Sequence, residues 1–214
     1  ASVGATGSIN FMIIGFCMGV CNGFAIPVAQ RFGAKDEHGM RKFVANSVWL
    51  SIIFAVVMAV LVCVFCRQIL ELMNTPEDII DGSYSYIFVI FLGIPATYMY
   101  NLLSGIMRSL GDSKTPLYLL IFSSILNIIL DLLSIIVLKM GVAGAAWATV
   151  IAQAVSGFCC LGVIWKKFPI LHVQREEWQP DKLCILNLCN MGIPMGLQYS
   201  ITAIGSVIIQ AAVN

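Results

Sequence analysis

Long uncharged stretches separated by short polar ones set the layout of this chain. No Asp, Glu, Lys or Arg occurs in residues 1–30, 43–66, 82–107, 140–165 or 183–214, and the stretch 115–138 is broken by Asp131 alone. Each of these exceeds the roughly 20 residues a helix needs to cross a hydrocarbon core at about 1.5 Å per residue. The pattern predicts an all-α fold, a polytopic membrane helix bundle of six spans. The last stretch is too long for one span. Pro194 is expected to divide it into an interfacial segment, 181–192, and a span from about 194 onward, because proline removes a helix hydrogen bond and clashes with the preceding turn. Pro27 and Pro95 fall within spans and are expected to kink them.

Composition agrees with the pattern. Hydrophobic residues make up 59% of the chain and charged residues 11%, against about a quarter charged in a soluble domain, and the mean hydropathy is +0.92. The lipid bilayer is therefore the implied surrounding, and no nucleic-acid partner is expected. Ten of the basic residues (Arg31, Lys35, Arg41, Lys42, Arg108, Lys114, Lys166, Lys167, Arg175 and Lys182) fall in connections on one side of the membrane, and Arg67 and Lys139 on the other. That bias places the first group in the cytoplasm and the N-terminus outside. The chain opens on Ala1 directly into a hydrophobic stretch, with no initiator Met and no basic signal-peptide segment. It ends at Asn214 within a span and reads as a piece of a longer transporter or channel. All eight cysteines lie in uncharged stretches, away from His38 and His172 in the connections. They are expected to act as small apolar residues rather than metal ligands, the Cys63/Cys66 spacing notwithstanding.

The one carboxylate inside a span carries the candidate chemistry. Placing Asp131 at the bilayer centre costs about 2.5–3.5 kcal/mol on insertion scales, so an intramembrane acid is a functional candidate by default. Asn127 and Asp131, four residues apart, project from one helix face one turn from each other. That helix ends near Lys139, which sets Asp131 about 12 Å below the outer boundary; the next begins near Gly141 and returns, which sets Thr149 at a similar depth of about 12 Å. The short turn makes the two helices antiparallel neighbours, and Gly141, Ala143, Gly144, Ala145, Ala146 and Ala148 allow close approach. Asn127, Asp131 and Thr149 thus form a set of oxygen ligands for a proton or for a hard cation such as sodium, and their chemistry does not choose between the two. Gain and loss of charge at Asp131 would act as a switch. The alternative is a neutral, hydrogen-bonded carboxyl that only fixes helix packing.

Other positions carry weaker signals. Asn101, Gln153 and Gln198 are uncharged polar residues in spans, expected mainly as interhelical hydrogen-bond partners and secondarily as polar contacts of a site. Gly15, Gly19 and Gly23 repeat at GxxxG spacing and predict tight helix contact. Tyr84, Tyr86, Tyr118 and Trp165 lie near predicted span ends and fit an interfacial aromatic belt. The segment from Gly111 to Pro116 reads as a turn into a new helix.

Several of these segments match one family in order. The run Arg108-Ser109-Leu110-Gly111-Asp112-Ser113-Lys114-Thr115-Pro116, the segment Asn127 to Asp131 and the segment Gly141 to Thr149 resemble the multidrug and toxic compound extrusion (MATE) transporters, as do Gln30 to Asp36 and Gly192 to Met195. The resemblance implies twelve helices in two six-helix lobes around a central cleft. This chain would supply helices two to seven: the N-terminal lobe over 1–165, an inter-lobe linker with an interfacial segment over 166–193, and the start of the second lobe over 194–214. Helix one and helices eight to twelve of the same protein would be its missing partners. In similar members an aspartate of helix one joins residues matching Asn127, Asp131 and Thr149 to bind the coupling ion.

The expected function is a secondary antiporter that exports amphipathic organic cations in exchange for H+ or Na+, not an enzyme, with no cofactor beyond the coupling ion. Asp131 would be the coupling carboxylate, Asn127 and Thr149 its fellow ligands, and Asn101 a more distant helper. A lipid-linked oligosaccharide flippase of the same superfamily is the nearest alternative, but no Lys or Arg lies inside a span to meet a diphosphate. A channel is a further alternative, since polar helix faces also line pores. An intramembrane protease would need a second acid, a metal-binding histidine or a base, and the spans hold a single acid and no histidine.

Overall fold

The computed structural model describes residues 2–66, 68, 71, 77–78, 80–139, 142–171, 173 and 175–213. Of the positions singled out in the sequence, Ala1, Arg67, Gly141, His172 and Asn214 lie outside the described residues. Among the described residues, seven α-helices carry the fold: α1 (Ser2–Gly33), α2 (Glu37–Val64), α3 (Ile80–Leu92), α4 (Ile94–Ser109), α5 (Lys114–Leu132), α6 (Val142–Lys167) and α7 (Lys182–Val213). A π-helical segment, Leu133–Val137, continues α5, and two short 3-10 turns, Pro169–Leu171 and Arg175–Trp178, lie between α6 and α7.

Among the described residues, four helices are long and apolar enough to cross a membrane, and α3 with α4, bent by 47°, makes a fifth if the pair is one span. The bend sits at Gly93, with Pro95 near the start of α4, as the sequence leads one to expect. A side chain at Gly93 would meet Val150 Cγ2 at 2.5 Å, so the break also lets α6 pack against the corner.

The sixth expected span differs in form. α7 runs unbroken from Lys182 to Val213 with Pro194 inside it, where the sequence predicts an interfacial segment ending before a separate span. The reason is packing. α1 and α7 make the most extensive helix contact in the structure, and their glycines interlock: a Cβ on Gly19 would lie 2.5 Å from Met195 O, and one on Gly23 2.5 Å from Gly192 Cα. Close backbone approach over several turns keeps α7 continuous through Pro194 against the roughly 3 kcal/mol that an interior proline costs a helix. Asn22 Nδ2 donates to Tyr199 Oη (3.1 Å) and Ser200 Oγ to Met12 O (3.0 Å) across the same seam.

Polar contacts tie the basic connections together at one end. Asp36 caps α2, its Oδ1 accepting from Gly39 N at 3.0 Å. The 3-10 turn brings Glu177, only 3% exposed, to Arg41 Nε at 2.9 Å and to His38 Nδ1 at 2.9 Å. Lys42 pairs with Asp181, and Asn46 Oδ1 accepts from Asp181 N at 3.0 Å. Lys42 beside it holds the Asp181 carboxyl below its usual range. Asp112, in the turn before α5, accepts from Thr115 Oγ1 (2.7 Å) and N (3.1 Å) and from Lys167 Nζ (3.0 Å).

Candidate functional site

The bend between α3 and α4 opens a small cavity, about 250 Å³, inside the bundle. Its walls come from five helices: Ile14 and Met18 of α1, Tyr86 and Ile90 of α3, Thr97, Tyr100 and Asn101 of α4, Leu120 of α5, and Thr149, Val150 and Gln153 of α6. Helical period explains the arrangement, since Tyr86 and Ile90, Thr97 and Asn101, and Thr149 and Gln153 are all one turn apart and share a face.

Asn101 donates through Nδ2 to Thr97 O (2.8 Å), Thr97 through Oγ1 to Gly93 O (3.3 Å) and Thr149 through Oγ1 to Ala145 O (3.1 Å). With donors spent on their own helices, these residues retain acceptor oxygens. Gln153 Oε1 is buried and has no hydrogen-bond partner, and the same holds for Asn127 Oδ1 and Asp131 Oδ1 on α5. Three buried acceptors without a donor are a costly arrangement, at about 1–3 kcal/mol each, unless something they bind supplies the partner.

Asn101, Thr149 and Gln153 thus line one cavity, whereas Asn127 and Asp131, which depth counting set beside Thr149, are not among its lining residues. Asn127 and Asp131 lie on α5, which packs against α6, and Asp131 is within electrostatic reach of Tyr86 on the cavity wall. No hydrogen bond joins Asp131 to Asn127 or Thr149 among the described residues. The π-helical segment, marked by Leu138 N donating to Leu133 O at 3.0 Å, begins two residues after Asp131. Such segments are rare and occur frequently at functional sites.

Two sequence expectations change. Gln198 is exposed on α7 and does not line the cavity; Gly192 and Gly196 turn toward α1, and a residue two positions beyond Gly196 points to the other side of the helix. Tyr86 is a cavity residue rather than a member of the aromatic belt, whereas Tyr118 and Trp165, at 66% and 67% exposure, fit that belt. The sequence signal that could have found Tyr86 is its one-turn spacing to Ile90 on the helix that ends at the Gly93 bend.

Membrane-crossing helices packed around an internal, partly polar cavity define an integral, multi-pass membrane protein. Comparison with known proteins gives the family. The MatE family pattern matches residues 1–133, more than half of the chain, and the chain belongs to that family. It is 31% identical to the "Probable multidrug resistance protein YoeA" of Bacillus subtilis (strain 168) over 100% of its own length and 48% of that protein. It is 31% identical to the "Multidrug resistance protein PmpM" of Pseudomonas aeruginosa over 79% of its length and 37% of that protein. The chain spans about half the length of the curated relatives it matches, at 48% and 47% for two of them. The solved structure of the inward-facing conformation of a multidrug resistance MATE family transporter of the MOP superfamily matches with a TM-score of 0.87 at 24% identity, over 95% of this chain and 46% of that one. The outward-facing conformation matches with a TM-score of 0.86. These likenesses show the helical fold, and both solved structures are of a multidrug resistance MATE family transporter.

Proposed function

We propose that the protein is a secondary antiporter that exports amphipathic organic cations in exchange for H+ or Na+, with Asp131 as the coupling carboxylate. The observation that carries this reading is three buried side-chain oxygens, on Asn127, Asp131 and Gln153 of the packed helices α5 and α6, that have no hydrogen-bond partner. Buried oxygens without a donor are matched by a proton, which converts a carboxylate into a donor, or by a hard cation that takes oxygen ligands. Thr149 and Asn101 add oxygen on the cavity side, and Tyr86 and Tyr100 add aromatic faces suited to an organic cation. The names of the relatives, multidrug resistance and multidrug export proteins, support export of drugs, the coarser part of this reading.

Asp131→Asn keeps the shape of the side chain and removes its charge. In proteoliposomes made with the protein that carries this chain, that variant is expected to lose gradient-driven efflux of a fluorescent organic cation by at least about tenfold, with an unchanged elution profile and melting temperature. Efflux equal to the unaltered protein's would reject the assignment.

A further inference from the structure

A second cavity, about 360 Å³, lies on the other side of α4 from the polar one. Its lining includes Ser51 and Val56 of α2, Met99 and Leu103 of α4, Leu161 of α6 and Trp178 of the segment before α7. Helix α4 is the wall between the two, with Thr97 and Asn101 facing one and Met99 and Leu103 the other.

Three observations give this groove an occupant. Its rim is apolar and exposed on two helices of membrane-crossing length: Ile52, Val56 and Leu161 are 52%, 52% and 48% exposed, a surface that suits hydrocarbon chains rather than water. Second, Ser51 is 5% exposed and its Oγ is buried with no hydrogen-bond partner. A serine on a membrane helix ordinarily bonds the carbonyl a turn behind it, and an unused donor in an apolar groove calls for an acceptor from outside the protein. Third, the end of the groove at Trp178 lies at the basic face of the molecule. Trp49 Nε1 donates to Trp178 O at 2.8 Å with the rings edge to face, an arrangement suited to the polar–apolar boundary. Arg175, one turn before Trp178, is exposed there.

We propose that the groove binds an acyl chain of an anionic phospholipid from the leaflet at the basic end, its ester carbonyl accepting from Ser51 and its phosphate beside Arg175. The apolar walls take the chain, the orphaned Ser51 hydroxyl takes the ester carbonyl near its head, and the guanidinium takes the phosphate. The site is separate from the ion site, and failure of either assignment leaves the other standing.

The test uses the protein in phosphatidylcholine vesicles containing phosphatidylglycerol that carries a photoactivatable diazirine in one acyl chain, with adducts mapped by mass spectrometry. Adducts are expected to concentrate in 48–56 and 95–103. Val56→Trp fills the groove from a half-exposed position and is expected to lower them about tenfold, with Leu161→Trp as a second filling variant should the first fold poorly. Ser51→Ala is expected to weaken labelling by the ester-linked lipid and not by its ether-linked analogue, and Arg175→Gln to remove the preference for phosphatidylglycerol. Labelling spread evenly along Ile53, Val57 and Val60 and indifferent to both filling variants would overturn the proposal. So would displacement of the label by the lipophilic cation tetraphenylphosphonium, which would make the groove a substrate site.

Discussion

Asp112 shows how much a single side chain can organise at the basic end. Its carboxylate caps the first turn of α5 through Thr115 N, bonds the Thr115 hydroxyl and pairs with Lys167 at the end of α6. Together these contacts hold its carboxyl at about 2, the Thr115 hydrogen bond contributing most. A folded value below the unfolded one near 3.9 means that Asp112 stabilises the fold fully above that value, and that the contribution fades as pH falls toward about 2. Asp112→Ala is therefore expected to cost about 0.5–2 kcal/mol near neutral pH, as losing a helix cap does, and thermal melts should show its gap from the unaltered protein closing below about pH 4. A constant gap would contradict the role. The sequence reads Gly111 to Pro116 as a helix start without hidden function. It cannot show the bond to Lys167, which depends on two helix ends meeting 55 residues apart. Asp131 is legible for the opposite reason: a lone acid in an apolar stretch announces itself by its cost, whatever it touches.

At the scale of the elements, the glycines of α1 carry the sharpest prediction. Gly19 sits where any side chain would meet the backbone of α7 at 2.5 to 2.8 Å, and backbone cannot yield as a flexible side chain can. Gly19→Ala is expected to destabilise the protein by about 1–3 kcal/mol through overpacking. Gly162→Ala on α6 serves as the control, because nothing lies within 4 Å of its Cβ position and a helical glycine replaced by alanine is neutral or mildly stabilising. Melting curves in detergent distinguish the two; equal behaviour would contradict the seam. Charge-free length revealed α1, α2, α5 and α6 directly, since each stretch has the length of a crossing and no competing pattern. The GxxxG spacing on α1 predicted close contact without naming the partner. The partner was hidden because α7 supplies Gly192 and Gly196 on either side of a proline, and local sequence weighs Pro194 more heavily than packing that exists only after folding.

In the whole molecule, one bent crossing separates two different environments. The Gly93 bend makes a polar cavity on one side of α4 and leaves an apolar groove on the other, so a shift of α4 would be felt in both. Depth counting from helix ends brought Thr149 to the level of Asp131, but it gave no access to Tyr86, whose place depends on the angle of the bend. It also aligned Gln198 with the site by polarity alone, and the rotation of α7 set by its glycines turns that residue away. The central claim is that Asp131 exchanges an ion against an organic cation. Its most direct test is the ion movement that the substrate itself evokes: in proteoliposomes without an imposed gradient, adding the organic cation on one side should drive H+ or Na+ in the opposite direction. Asp131→Asn should abolish that countermovement while the protein stays folded, whereas ion movement of undiminished size in the variant would contradict the account.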